Sequence, residues 1–113
     1  MIIVSDTGPL AYLVAIDIAD CLPQLYGQVF IPPTVLAELR HERSPAAAWA
    51  SRPPPWLEVA APRSIPADLS LDPGEREAIA LALELGAERL LMDERQGREA
   101  AQALGLKVVE HWR

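Results

Sequence analysis

The chain contains no asparagine, one cysteine, one lysine and no apolar run of membrane-spanning length. Each shortage removes a class of protein. With Cys21 alone, a disulfide framework and a cysteine-rich metal site are both ruled out. A single thiol agrees with a reducing compartment, and Cys21 reads as a small helix residue, because neither His41 nor His111 is a local partner that would activate it. The longest apolar stretch, Pro9 to Ile16, is about half of the roughly 20 residues a membrane span requires. Met1 leads straight into an apolar strand, without the basic and apolar regions of a signal peptide, so a cytoplasmic protein is expected, with no membrane partner. No glycine-rich loop follows that first strand, which argues against a nucleotide-binding domain. Basic residues are also short: ten Lys and Arg stand against sixteen Asp and Glu, for a net charge of −6. Such a balance does not suit nucleic-acid binding through a broad basic face. It leaves open a pocket of acids neutralised by cations. The dominance of arginine over lysine and the eleven prolines fit a GC-rich genome or a thermophile.

What is present points to one domain of 113 residues, half of them hydrophobic, which is enough to bury a core without disulfides. Met1 to Val4 is a short apolar run bounded by the turn Ser5-Asp6-Thr7-Gly8-Pro9, the pattern of a buried parallel strand. Leu10 to Ile16 follows as a helix that is apolar nearly all round, with Tyr12 its polar handle. A short helix is expected over Asp20 to Tyr26, interrupted by Pro23, then a strand Val29 to Ile31. Pro32-Pro33 launches a helix from Thr34 to about Glu42, and Ala46 to Ala50 forms another. Pro53 to Pro55 is a stiff connector into a strand at Trp56 to Val59. After a loop to Leu71, Asp72 caps the clearest helix, with Pro73 at its first position and Gly86 closing it. A strand Arg89 to Met92, a helix from about Gln96 to Leu104 and a strand Leu106 to Val109 complete the chain. Alternating strands and helices predict an α/β fold with a parallel sheet and right-handed crossovers.

Two of the strands end in acids, Asp6 and Asp93, at the carboxyl ends where α/β sheets collect their chemistry. Either one alone would serve equally well as a helix cap. Glu38 shares a helix side with Thr34 and Val35 and points to the rim of the core, although a solvated surface Glu fits the same pattern. Glu75 lies on the stripe of Ala78, Ile79 and Ala82 and is the preferred inward acid. Glu77, about 200° around the axis from it, is the alternative and should point away from the cleft. Both also suit the helix dipole as first-turn acids. Converged, such acids repel by roughly 4 kcal/mol per pair about 4 Å apart at an effective dielectric near 20. A cation reverses that balance, and oxygen ligands without a Cys/His cluster favour Mg²⁺ or Mn²⁺ over Zn²⁺. The Thr7 hydroxyl, beside Asp6, either assists there or bonds within its turn. Arg40, Arg95 and Arg98 are candidates for phosphate contact whose simpler role is solvation.

The segments IIVSDTGPLAYL, PPTVLAELR, PPPWLEV and LDPGEREAIALALELGAERLLMDERQGREAAQALGLKVV, in that order, resemble a PIN domain, near the VapC-like toxin ribonucleases of type II toxin–antitoxin pairs. The resemblance covers nearly the whole chain. It implies a three-layer α/β/α fold with a central parallel sheet and an Mg²⁺- or Mn²⁺-dependent endoribonuclease whose partners are RNA and an antitoxin protein. Its four catalytic and metal-binding acids fall on Asp6, Glu38, Glu75 and Asp93, supported by Thr7, Glu94 and Glu77. Two departures stand out. Gly8 occupies the place of a second hydroxyl, and the chain stops at Glu110-His111-Trp112-Arg113, where similar proteins continue into further helix. The alternative is therefore a catalytically impaired PIN-like binding module. A homodimer or higher oligomer is expected through the face of Leu10 to Ile16, with Tyr12 and Trp112 as contact residues.

Overall fold

A computed structural model describes residues 2–65, 71–92, 99, 101–102 and 105–109. Their backbone runs β1 (Ile2–Ser5), α1 (Thr7–Ala15), α2 (Cys21–Leu25), β2 (Gln28–Ile31), α3 (Pro33–Arg40), α4 (Ala47–Ser51), β3 (Leu57–Val59), α5 (Pro73–Leu85), β4 (Arg89–Leu91) and β5 (Val108–Val109). The strands form one five-stranded sheet in the order β3-β2-β1-β4-β5. Every pairing is parallel. The chain thus builds outwards from β1 through β2 to β3, then returns to the other side of β1 with β4. That reversal makes the β1–β4 pair a topological switch point, where a crevice opens beyond the strand ends.

Strand alternation sorts the core into two layers. Ile3, Val29, Ile31, Leu57 and Leu91 face a cluster completed by Leu10 and Leu13 of α1, Leu22 of α2, and Val35 and Leu39 of α3. Val4, Leu90 and Met92 face the other way, against Ala78, Ile79, Leu81 and Ala82 of α5 and against Ala101. The result is an α/β/α sandwich whose strands are covered on both faces, which is why they read as short continuous apolar runs.

Two readings of the sequence change here. The stretch Ser5 to Pro9 is not a free turn, because α1 begins at Thr7 and takes Pro9 into its first turn, where a missing N–H costs nothing. The helix read as apolar nearly all round buries one side only: Leu10 and Leu13 are fully buried, while Tyr12 is 49% and Ile16 45% exposed. Cys21 starts α2 as a half-buried free thiol. Among the described residues no helix is long and apolar enough to cross a membrane. Within the predicted helix from Gln96 to Leu104, the described Glu99, Ala101 and Gln102 are helical.

Candidate active site at the sheet switch point

β1 delivers Asp6 to the crevice. The Asp6 backbone N–H donates to the Leu91 carbonyl at 2.9 Å, so the chain leaving β1 is held against the end of β4. Asp6 is the N-cap residue of α1, yet its side chain makes no capping bond. The carboxylate is instead folded into the protein, with the residue only 7% exposed.

The next residue reaches sideways. Thr7 Oγ1 donates to Glu38 Oε1 at 2.7 Å, which ties the start of α1 to the last turn of α3. Glu38 itself is exposed at the rim. From the opposite side comes the start of α5, where Asp72 and Glu75 form a reciprocal capping box. Asp72 Oδ1 accepts from the Glu75 N–H at 2.9 Å, and Glu75 Oε1 accepts from the Asp72 N–H at 3.3 Å. Between them, Gly74 is buried, and a Cβ added there would overlap Glu38 Oε1. Glycine at this position lets the α5 backbone close onto the Glu38 carboxylate.

Glu75 carries a clear electrostatic signal. It is 5% exposed, and its Oε2 is buried with no hydrogen-bond partner among the described residues. Its carboxyl is pushed up to about 7, first by desolvation, then by the side-chain hydrogen bond to Asp72 and the charges of Asp72 and Asp6, against the lowering effect of the Asp72 backbone N–H. A buried acid beside other acids resists ionising, since the charged form loses water and gains repulsion.

Asp6, Glu38 and Glu75 thus gather around the starts of α1 and α5. Asp93 follows β4 by two residues but lies outside the described residues, as do Glu94, Arg95, Arg98, His111 and Trp112. Among the described residues no three His, Cys, Asp or Glu side chains stand together closely enough to hold one metal ion. Glu77 is turned to α3, where its Oε2 accepts from Thr34 Oγ1. Arg40 is committed through Nε to the Ala50 carbonyl at 2.9 Å, which pins α4 to α3. Beside Thr7 and Glu38 an open cleft of about 430 Å³ also receives Ala11, His41, Arg43 and Ser44. Neither Gly74 nor the His41–Arg43 pair stands out in the sequence. One is a lone glycine near a helix start, and the others lie in a loop without periodicity.

The donor chemistry fits a hard divalent cation. The side chains are oxygen donors, and the orphaned Glu75 Oε2 is the kind of buried acceptor that such an ion satisfies. A doubly wound parallel sheet with carboxylates at its switch point defines a class of α/β proteins that work at the strand ends. The comparisons narrow the class. The sequence matches the family DUF3368, a PIN domain, over residues 2–110, and the chain belongs to that family. PIN domains are generally nucleases that use divalent metal ions. No curated protein matches the chain significantly. Among solved structures, the fold resembles that of a PilT N-terminus domain protein from the hyperthermophilic archaeon Sulfolobus solfataricus P2, with a TM-score of 0.67 and 19% identity over 97% of this chain and 87% of that one.

Proposed function

We propose that this PIN domain is a metal-dependent ribonuclease that hydrolyses RNA phosphodiesters, as the toxin half of a type II toxin–antitoxin pair. The observation that carries the reading is Glu75: an acid in the core, beside Asp6, with an unsatisfied oxygen and a carboxyl near 7. The capping box uses Glu75 Oε1 but leaves Oε2 buried and unsatisfied, a cost that a cation stabilising the charged form would offset. Asp6, Glu38, Glu75 and Asp93 would hold Mg²⁺ or Mn²⁺. When bound, the ion supplies positive charge that polarises the phosphodiester and stabilises the leaving oxygen.

The chain's own groups do the positioning. Thr7 holds Glu38 at the mouth of the cleft. Asp72 holds Glu75 in place through the reciprocal cap. Thr34 and Glu77 clasp α3 to α5, one helical turn before Glu38. Glu75 must release its proton to bind a cation, so loading should weaken as pH falls below about 7. We further propose self-association through Tyr12, Ile16 and Ile18, which are 49%, 45% and 45% exposed. Light scattering that gives a monomer at micromolar concentration would contradict that part.

The test of function is a fluorescent RNA assay with Mg²⁺ or Mn²⁺, with chelator, and with the Asp6→Asn and Asp93→Asn variants. Cleavage in metal alone supports the ribonuclease. One observation favours a binding module instead: no three described side chains are ready to hold an ion. A folded, metal-loaded protein that cleaves none of several RNAs would decide for the module.

A further inference from the structure

We propose that the cleft beside Thr7 and Glu38 is a substrate subsite that seats the RNA backbone phosphate next to the scissile bond, with Arg43 as its main anion contact and His41 as a second donor. The inference rests on the ribonuclease reading and assigns that site its strand path. The cleft measures about 430 Å³, inside the roughly 300–1,000 Å³ range of small-ligand sites. That is ample for one nucleotide unit.

Its lining is chemically mixed. Thr7 and Glu38 belong to the acid cluster, while His41, Arg43 and Ser44 come from the loop that follows α3. Ala11 and Pro45 supply apolar surface on which a ribose or base can rest. In a chain of net charge −6, a guanidinium and an imidazole at the mouth of an acidic site mark where an anion is tolerated. The strand's scissile phosphate belongs at the acids with their cation, so the neighbouring phosphate falls to the cationic loop.

The loop that carries these groups is held in shape by its own hydrogen bonds. His41 N–H donates to the Glu38 carbonyl at 3.2 Å and Ser44 N–H to the His41 carbonyl at 2.8 Å. Ala46 N–H donates to Ser44 Oγ at 3.1 Å. The Arg43 N–H donates to His41 Nδ1 at 3.1 Å, so the ring's Nδ1 is an acceptor and its proton belongs on Nε2, which can donate to a phosphate oxygen. His41 and Arg43 are therefore held three and five residues beyond Glu38 on a segment continuous with the acid's own helix. Arg40, the nearer arginine in sequence, has its Nε engaged by Ala50. Arg43 is the one that lines the cleft.

The experiment is fluorescence anisotropy of a labelled short single-stranded RNA in chelator, so that binding is read without turnover. Wild type is compared with Arg43→Ala, Arg43→Glu and His41→Ala, and with Arg52→Ala as an exposed arginine outside the cleft. Circular dichroism checks each fold, and Arg43 is exposed, so its variants should fold. Arg43→Ala should weaken binding about 5- to 10-fold and lower the salt slope by about one, as expected for one lost phosphate contact. Arg43→Glu should weaken it further, His41→Ala about 3-fold, and Arg52→Ala not at all. Arg43 variants that bind like wild type, or an Arg52 variant that loses as much as Arg43→Ala, would overturn the subsite while RNA binding stands. Wild type that binds no RNA in chelator and none with Ca²⁺ in its place would instead overturn the ribonuclease reading, and the subsite with it.

Discussion

Asp72 and Asp6 occupy the same station, each immediately ahead of a helix with proline in its first turn, yet their carboxylates do different work. Asp72 accepts from the Glu75 N–H and completes a capping box, so its charge is used by the start of α5. Asp6 makes no capping bond to α1 and, at 7% exposure, brings its charge to bear on Glu75 instead. A helix N-terminus rewards a nearby acid by about 0.3–1 kcal/mol, and burial beside a second acid works against that reward. Asp6 thus lies buried without the cap, beside an acid whose charge opposes its own.

Exchanging the two residues is the strongest way to break the comparison. Asp6→Asn should lower metal-dependent RNA cleavage at least about 100-fold, because the charge proposed to hold the cation is lost. Asp72→Asn, which keeps a good cap, should stay within about 3-fold of wild type. Rates measured under single-turnover conditions decide it, and equal losses would erase the distinction. Next in size is Gly74→Ala. Its Cβ would displace the end of the Glu38 side chain, a flexible group that can move cheaply, so melting temperature should hardly change while cleavage falls about 10-fold. A large drop in stability would mean that Glu38 is locked and the clash reaches the backbone.

Asp72→Ala acts on folding. Loss of the cap should cost about 1 kcal/mol, or roughly 4 °C in Tm, measured by thermal denaturation without metal. The smallest effect concerns pH. The Glu75 carboxyl is raised in the folded state from 4.5 to about 7, so its contribution is fully present below about 4.5 and is lost as pH rises through about 7. Glu75→Gln should therefore stabilise the metal-free protein at pH near 8 by a few degrees, with the gain shrinking towards pH 4.5. A gain that does not vary with pH would separate Glu75 from the charge argument.

How much of this was readable from sequence differs by element. The capped start of α5, its closing Gly86 in the left-handed region at φ 61° and the apolar strands are local signals, and each appears where propensity and turn chemistry put it. The start of α1 does not: Ser5 to Pro9 has turn composition, and the helix prevails because Thr7, Gly8 and Pro9 need no intrahelical donors in the first turn. The inward side of Glu75 follows from helix phase alone, through Ala78, Ile79 and Ala82, all fully buried. Phase cannot deliver the Thr7–Glu38 bond, because it depends on α1 meeting α3 after both have packed on the same face of the sheet. The same holds for Gly74, whose missing side chain matters only for a neighbour 36 positions away in the chain, and for Glu77, whose partner is Thr34. His41 and Arg43 belong to a loop with no period to read.

The central claim is that the acids at the switch point hold a divalent cation, and calorimetric titration of Mn²⁺ tests it without recourse to activity. Wild type and Asp72→Asn should bind Mn²⁺ saturably at pH 8, release protons on loading and weaken as pH falls below about 7, while Asp6→Asn should show no saturable binding. Mn²⁺ binding that is absent from well-folded wild type, or unchanged in Asp6→Asn, would contradict the account.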